Sequence, residues 1–404
     1  MRQVRELTLI EAEESITLSA NAYPGLELAN RANRVRYRER VAQLDMDPTT
    51  HFYGLFEDGQ MHGTMRWHDF TMNFFGTQML VGGLGGLAVD LLHKKEKVAA
   101  EMVRAFLRHY KEDGVSMAAL YPFRPDFYRR MGFGYGTPMH HYRFAPAGLL
   151  NGPTKSDLVF LDKGDGERLH DCYNRHFQRT HGIMARQPQI WEGVLGDPTR
   201  QVIGVSRKDR LTGYLSFSFE KGRHDNFLSN TIHIGEMVYE TAEDLGQLLK
   251  FLYTQADQVE AISYNTQDDT FYYLLQDPRM DAGAILPDTV AHESSKQGLG
   301  IMYRVLDVLR LFELLEDHNF GGVTCRLQID ISDSFFPENG GSYGVEFIEG
   351  QVVRLTEMAP LQDVDRLSSD GARRPYVPEV VLALDVAEFS SLVIGAVSLR
   401  KLVA

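Results

Sequence analysis

Cysteine is scarce in this chain of 404 residues, which contains only Cys172 and Cys325. The two stand far apart and no pair has CxxC spacing, so a disulfide framework is excluded and a reducing, cytoplasmic setting is expected. Metal-ligand spacing is lacking too, because the nearest histidine pairs are adjacent or five residues apart. We therefore expect no metal.

Positive charge is also in short supply. Lys and Arg number 42 against 55 Asp and Glu, which gives a net charge of −13. A nucleic-acid-binding protein needs a basic face for the phosphates, so that class is disfavoured. A cationic partner such as an amine suits the charge, and ordinary solubility explains it equally well.

Long hydrophobic runs are missing as well. The most apolar stretch, residues 74–92, is broken by Gly82, Gly83, Gly85, Gly86 and Asp90. Such a segment is poor material for a membrane span and favours strands with close backbone approaches. The residues after Met1 form no apolar signal-peptide core, so neither a signal peptide nor a membrane span is expected.

The first region, residues 1–147, has the pattern of an α+β domain. Its Asp58-Gly59 pair lies between apolar runs and predicts a hairpin turn. The predicted elements are, in order, helices over residues 8–22 and 28–44, a hairpin over 51–70, a glycine-rich strand over 79–89 and a helix over 95–112.

Two further regions follow. Residues 148–290 repeat the hairpin, strand, helix and strand of the first region, but without its glycine-rich run and basic loop, so we expect a scaffold without the chemistry. Residues 291–404 predict a third α+β domain. Its expected helices cover residues 302–315 and 392–402 and flank four strands.

The most specific motif lies between Ala119 and Gly136. An apolar strand leads into a proline-rich loop, a helical turn carries Phe127-Tyr128, and Gly132-Phe133 follows after three residues. Aromatic packing alone explains such a cluster, and short motifs give false positives. The adjoining Phe123-Arg124-Pro125 favours a functional role for Tyr128.

A basic loop precedes the helix over residues 95–112. It contains Lys94, Lys95 and Lys97, at a helix N-terminus that presents free N–H groups. The helix dipole disfavours lysines there unless an anion relieves them, which favours a phosphate site. A solvated basic cap is the alternative.

Together the two segments resemble the GNAT superfamily of acyl-CoA N-acetyltransferases, and the whole chain resembles its Eis-type (enhanced intracellular survival) branch. The resemblance implies an α+β (mixed α/β) fold with tandem GNAT domains, the second degenerate, followed by a domain similar to sterol carrier proteins. It also implies a homo-oligomer, often a hexamer, and acetyl-CoA as cosubstrate.

The resemblance assigns roles to individual residues. Tyr128 would protonate the CoA thiolate as general acid, and the Val89 N–H would stabilise the oxyanion. Phe123 and Arg124 would lie near the cofactor. The remaining cofactor-binding residues are Leu87, Ala88 and Val89 for the pantetheine and the acetyl carbonyl, and Lys95, Glu96, Lys97, Val98, Ala99 and Ala100 for the pyrophosphate.

The chain departs from the family pattern at two places. Lys97 stands where the family has glycine; if that position needs a positive φ, the substitution costs roughly 1–2 kcal/mol. Lysines also lose the bidentate phosphate contacts of arginine. The family uses its terminal carboxylate as general base, which makes Ala404 a candidate here, with a water molecule or an acid of the first domain as alternatives.

The sequence thus predicts an acetyl-CoA-dependent N-acetyltransferase. The acceptor would be a primary amine of a small molecule, aminoglycoside-like or a polyamine, or of a peptide lysine, and it would attack the thioester directly. A non-catalytic acyl-CoA-binding or lipid-binding protein is the alternative. It is suggested by Lys97 and by a C-terminal segment that looks shorter than the one the family uses as general base.

Overall fold

A computed structural model describes residues 2–222, 229–280, 291–358 and 378–402. The chain divides into two compact units. One contains Met1–Gly136 and Gly300–Ala404, and the other is Thr137–Leu299.

The described residues form eighteen strands and ten α-helices. The strands are β1 (Arg2–Glu6), β2 (Thr50–Glu57), β3 (Gln60–Phe74), β4 (Thr77–Val89), β5 (Met117–Leu120), β6 (Gly134–Tyr135), β7 (Met139–Phe144), β8 (Leu158–Phe160), β9 (Arg200–Arg207), β10 (Arg210–Lys221), β11 (Asn230–Tyr239), β12 (Val259–Thr266), β13 (Lys296–Gly298), β14 (Met302–Val305), β15 (Cys325–Ser332), β16 (Gly341–Ile348), β17 (Gln351–Met358) and β18 (Glu379–Asp385). The helices are α1 (Leu9–Ala22), α2 (Arg31–Asp45), α3 (Val98–Glu112), α4 (Pro125–Arg129), α5 (Gly166–Arg179), α6 (Ile190–Gly196), α7 (Ala242–Tyr253), α8 (Val308–Glu313), α9 (Val386–Val393) and α10 (Leu399–Leu402).

The first unit is built on a seven-stranded sheet in the order β1-β2-β3-β4-β5-β14-β6. Neighbouring strands are antiparallel except β4 and β5, which run parallel on either side of the α3 crossover. The apolar face of α3 is buried against this sheet, as its helical periodicity predicts. Its buried side chains are Val98, Met102, Val103, Phe106, Leu107 and Tyr110.

The strand β14 corrects one prediction. We expected a single helix over residues 302–315, whereas Met302–Val305 is a strand and only Val308–Glu313 is helical. The strand lies antiparallel between β5 and β6, and all four of its residues are buried. A strand that is covered on both faces does not alternate between polar and apolar residues. Its sequence pattern therefore could not be distinguished from that of a helix.

The C-terminal part of this unit adds a four-stranded sheet in the order β17-β16-β15-β18. The helix predicted over residues 392–402 is wrong, because α9 ends at Val393 and α10 begins at Leu399. Gly395 has φ 79°, and the Ala396 N–H donates to the Ser391 carbonyl at 3.1 Å. This pairing with a left-handed glycine is a helix-terminating Schellman motif.

The second unit has its own seven-stranded sheet, in the order β13-β7-β12-β11-β10-β9-β8. The predicted repeat of the first region is present, because β11, α7 and β12 form the same parallel crossover. The ranges differ from those we expected: β7, assigned to residues 1–147, and β13, assigned to residues 291–404, both belong to this sheet. Tyr142 and Phe144 of β7 are buried in its core.

Candidate functional site

A β-bulge distorts β4 at Gly86. Arg66 of β3 pairs with Gly85, whereas Thr64 pairs with Ala88, so the register shifts at this point. Gly86 has φ 58°, a left-handed conformation that glycine adopts at little cost. The bulge turns the end of β4 away from the regular ladder.

The strands β4 and β5 separate just before this bulge. Their parallel pairing ends where Leu84 faces Leu120. β4 continues to Val89, whereas β5 stops and its chain turns toward α4. A cleft therefore opens between the carboxyl ends of two parallel strands, where open α/β sheets commonly bind ligands.

A cavity of about 140 Å³ lies at the end of β4. Its wall combines β4 backbone with the end of α1, the start of α3 and the loop before α4. The lining residues are Ala22, Tyr23, Leu87, Ala88, Val89, Lys94, Ala99, Phe123 and Phe127. The Tyr23 hydroxyl donates a hydrogen bond to the Leu87 carbonyl oxygen, which fixes that peptide against the cavity.

Two lysines of the loop before α3 have a left-handed backbone. Lys97 caps the helix with φ 66°, and Lys95 has φ 70°. Lys97 makes no side-chain capping bond to the first turn of the helix. Within the described residues no carboxylate pairs with Lys94, Lys95 or Lys97. Free N–H groups and unpaired cations at a helix N-terminus are the features that favour an anion.

Tyr128 lies in α4 and is 4% exposed. Its ring makes edge contacts with Phe123, Phe127 and Phe133, at centroid distances of 5.8, 5.1 and 6.0 Å. In the described part of the chain no residue accepts a hydrogen bond from its hydroxyl. Burial raises the pKa of Tyr128 above its ordinary value, so the hydroxyl stays protonated at neutral pH.

The turn after α4 is anchored by the C-terminal part of the unit. Gly132 has φ 79°, and a Cβ there would collide with the guanidinium of Arg304. Arg304, on β14, donates a hydrogen bond to the Met131 carbonyl and forms a fully buried ion pair with Asp333. β14 therefore fixes the position of the turn that follows Tyr128.

The structure brings together part of the predicted cofactor set. Leu87, Ala88, Val89, Ala99 and Phe123 line the cavity, and Lys95 and Lys97 stand exposed in the loop beside it.

The side chains of the other predicted residues contact other parts of the protein. Val98 is buried in the core, and Ala100 packs against that core. Glu96 pairs with Arg2 at 3.4 Å and His93 at 3.0 Å. Arg124 pairs with Asp126 at 2.6 Å, and Ala404 falls outside the described residues.

Sequence reasoning missed two residues beside the cleft. Tyr23 follows α1 as an isolated aromatic, and nothing in its neighbourhood indicates that it reaches β4. Arg66 is the one lysine or arginine of β3 and lies between the buried Met65 and Trp67, and that contrast was the available signal.

In the described part of the second unit, the corresponding region does not have these anion-binding features. Its strand β11 also carries a bulge, at Gly235, and β11 and β12 also separate beyond Ile234. The following helix α7, however, starts with a capping box in which Thr241 and Asp244 satisfy each other's N–H groups. Acids occupy its first turn, so a phosphate would meet like charge.

Comparison with known proteins identifies both repeats. A family model described as an acetyltransferase (GNAT) domain matches residues 3–136, and a second model with the same description matches residues 182–305. No curated protein sequence matches the chain.

Several solved structures share the fold over the whole chain. A GCN5-related N-acetyltransferase from Anabaena variabilis is 16% identical, with 100% of this chain and 92% of that chain covered and a TM-score of 0.77. A conserved protein of unknown function from Enterococcus faecalis, described as a probable N-acyltransferase, is 19% identical, with the same coverage and a TM-score of 0.73. Eis1 from Mycobacterium abscessus is 19% identical, again with the same coverage and a TM-score of 0.71. At these identities the likeness shows a shared fold.

The two domain matches and the cleft at the bulge of β4 define the class: the chain belongs to the GNAT acetyltransferases. Its tandem domains and C-terminal α+β region confirm the predicted Eis-like architecture. The protein is accordingly an acetyl-CoA-dependent N-acetyltransferase that acts on an amine.

Two further observations concern metals and membranes. Within the described ranges no group of three or more His, Cys, Asp or Glu side chains is placed to hold a metal ion. None of the helices in those ranges combines the length and the hydropathy needed to cross a bilayer.

Proposed function

We propose that this protein transfers the acetyl group of acetyl-CoA directly to a primary amine, with Tyr128 as the general acid. The observation that carries the proposal is the state of the Tyr128 hydroxyl. It is buried, has no hydrogen-bond partner among the described residues, and keeps its proton at neutral pH because burial raises its pKa. A protonated, unengaged donor beside the cleft suits a departing thiolate.

The cavity and the loop before α3 would hold the cosubstrate. Acetyl-CoA supplies an activated acetyl group as a thioester. The free N–H groups of the first turn of α3, with Lys95 and Lys97, would bind the pyrophosphate. The backbone from Leu87 to Val89 would hold the pantetheine and the acetyl carbonyl, with the Val89 N–H as the oxyanion donor.

The amine must lose a proton before it attacks. None of the described residues that line the cavity carries a carboxylate. We therefore assign the deprotonation to a water molecule or to the carboxylate of Ala404. The resemblance to the Eis-type branch supports Ala404.

Two measurements on the full chain test this function. Calorimetry with acetyl-CoA measures cosubstrate binding, and a thiol reagent measures CoA release with amine acceptors. We expect micromolar binding and amine-dependent CoA release. Tight binding without release for any amine would favour the non-catalytic acyl-CoA-binding alternative instead.

Three further expectations belong to the same proposal. A homo-oligomer, often hexameric, a cytoplasmic location and a C-terminal domain similar to sterol carrier proteins all follow from the resemblance to the Eis-type branch. The sheet β17-β16-β15-β18 with α9 supports an α+β domain at that end of the chain. Light scattering of the purified protein measures the oligomeric state.

A further inference from the structure

Arg66 is a half-buried cation that has no counterion in the part of the chain that the structure describes. Within the described residues its guanidinium has no ion pair and no hydrogen bond. Burial lowers its pKa, and among the groups that act on that pKa only Arg40 is charged at neutral pH, and it is a cation. Its nitrogens keep some contact with solvent, but partial burial without a partner still costs the guanidinium part of its hydration.

The contrast with Arg304 of the same unit shows how unusual this is. Arg304 is fully buried, and Asp333 neutralises it. On the protein surface Arg38 has Glu13, and Arg2 has Glu57 at 2.9 Å. Arg66 is more deeply buried than Arg2 or Arg38. An anion partner would therefore stabilise the guanidinium of Arg66 more than those of the other two.

The position of Arg66 connects it to the cleft. Its Nε lies 2.9 Å, and its Nη2 3.3 Å, from the point that a Cβ on Gly86 would occupy. The guanidinium therefore packs on the bulge itself, one residue before Leu87, which lines the cavity. Tyr23 lines the same cavity and interacts electrostatically with Arg66.

The surroundings of Arg66 reinforce its charge. Arg40, on α2, is exposed, has no ion-pair partner among the described residues, and is close enough to add its positive charge to that of Arg66. The hydroxyl of Tyr37, which also acts on Arg66, is a further potential donor. Tyr37 packs in one cluster with Phe52, the cross-strand partner of Arg66. Arg66, Arg40 and this phenol together form a setting for a carboxylate.

We propose that Arg66, supported by Arg40, binds a carboxylate of the acceptor, so that the acceptor is an amino-acid-like molecule carrying both a primary amine and a carboxylate. This inference rests on the proposed acetyl transfer. The carboxylate would lie against the bulge, and the amine would reach toward the Leu87 to Val89 backbone. Polyamines and aminoglycosides carry several positive charges, and Arg66 and Arg40 would repel them.

The cosubstrate is a less suitable anion for Arg66. Its pyrophosphate already has Lys94, Lys95, Lys97 and the N-terminus of α3. Arg66 lies on β3, against Gly86, at the opposite end of the Leu87 to Val89 segment from that loop. An acceptor group is therefore the better occupant.

The test compares each amino acid with the amine that lacks only its carboxylate, such as phenylalanine with phenethylamine and tryptophan with tryptamine. Calorimetry on the full chain saturated with CoA measures the binding of each, so the result does not depend on turnover. We expect at least one amino acid to bind about tenfold or more tightly than its decarboxylated partner. Equal or tighter binding of the amine in every pair would overturn the proposal.

Variants locate the effect. Arg66→Gln should weaken amino-acid binding about tenfold and leave the decarboxylated amine within about twofold, and Arg66→Lys should recover part of the loss. Arg36→Gln, at an exposed arginine of α2, is the control and should change neither. Equal weakening of both ligands by Arg66→Gln would overturn the assignment. If that variant misfolds, the proposal is still tested by Arg40→Gln and by the binding of each amino acid and its decarboxylated amine to the wild type.

CoA release distinguishes this inference from the proposed function. Carboxylate-dependent binding without acetylation of any amine would support the role of Arg66 and refute acetyl transfer. Acetylation of amines with no preference for a carboxylate would support acetyl transfer and refute the role of Arg66. A variant lacking residues 403–404 completes the test: amino-acid binding that appears only after this deletion would show that the chain's own end occupies Arg66, and would overturn the proposal.

Discussion

The hydroxyl of Tyr23 donates a hydrogen bond to the carbonyl oxygen of Leu87, immediately after the bulge of β4. Because a peptide unit is planar, this single bond fixes the orientation of the Leu87–Ala88 peptide where it lines the cavity. The end of α1 thereby helps to set the backbone that would receive the acetyl group.

Replacing Tyr23 with phenylalanine removes this bond and leaves the Leu87 carbonyl without its partner. Leaving that carbonyl without a donor should cost about 1–3 kcal/mol of free energy. We expect calorimetry to show this as roughly tenfold weaker acetyl-CoA binding. Tyr273→Phe, at an exposed ring of the second unit, is the control. Unchanged affinity in Tyr23→Phe would show that the peptide needs no such support.

Lys97 combines backbone strain with a useful charge. Its φ of 66° is unfavourable for any residue with a Cβ, so Lys97→Gly should raise the free energy of unfolding by up to about 1 kcal/mol. Lys97→Ala keeps the strain and removes the charge. It should leave stability unchanged, weaken acetyl-CoA binding and reduce its salt dependence.

Urea unfolding and calorimetry at two salt concentrations separate these effects. Equal stability of the glycine and alanine variants would contradict the strain. Equal salt dependence of acetyl-CoA binding in the wild type and Lys97→Ala would contradict the role of the charge.

The second unit should bind no acetyl-CoA, because the capping box of Thr241 and Asp244 occupies the N-terminus of α7. Calorimetry should therefore give one acetyl-CoA per chain. Neutralising Lys94, Lys95 and Lys97 together should remove most of that binding. A second site that survives this triple substitution would show that the degenerate domain still binds the cosubstrate.

The buried pair of Arg304 and Asp333 supports the turn after Tyr128. Asp333→Asn leaves the guanidinium uncompensated and should lower the free energy of unfolding by about 3–5 kcal/mol. Glu338→Gln, which removes an exposed partner of Arg108 at 3.0 Å, should cost less than about 1 kcal/mol. Denaturant unfolding measures both, and similar losses in the two variants would contradict the difference in burial.

Local patterns predicted much of the fold. The apolar face of α3 and the turn at Asp58-Gly59 are written in neighbouring residues, and both are found where they were expected. Met302–Val305 was misread because its position between β5 and β6 depends on a partner strand about 180 residues away. Sequence periodicity carries no record of such a partner.

The candidate site divides in the same way. The resemblance led to the Leu87 to Val89 segment and to Tyr128. Each belongs to a motif of consecutive residues, which can be recognised in the sequence. Arg66 and Tyr23 reach the bulge only through the pairing of β3 with β4 and the packing of α1 on β4. Tyr23 is set apart by its hydrogen bond to Leu87, and Arg66 by the lack of a counterion among the described residues. Neither feature is visible in a sequence.

The central claim is that Tyr128 is the general acid of acetyl transfer. The deciding measurement is amine-dependent CoA release by the wild type and by Tyr128→Phe, with acetyl-CoA affinity as the control. We predict a loss of about 10²–10⁴-fold in kcat with affinity changed by less than about threefold. Because its pKa is raised, Tyr128 should keep its proton up to about pH 10. At any lower pH, loss of that proton should therefore not reduce kcat. Wild-type turnover by Tyr128→Phe would contradict the claim.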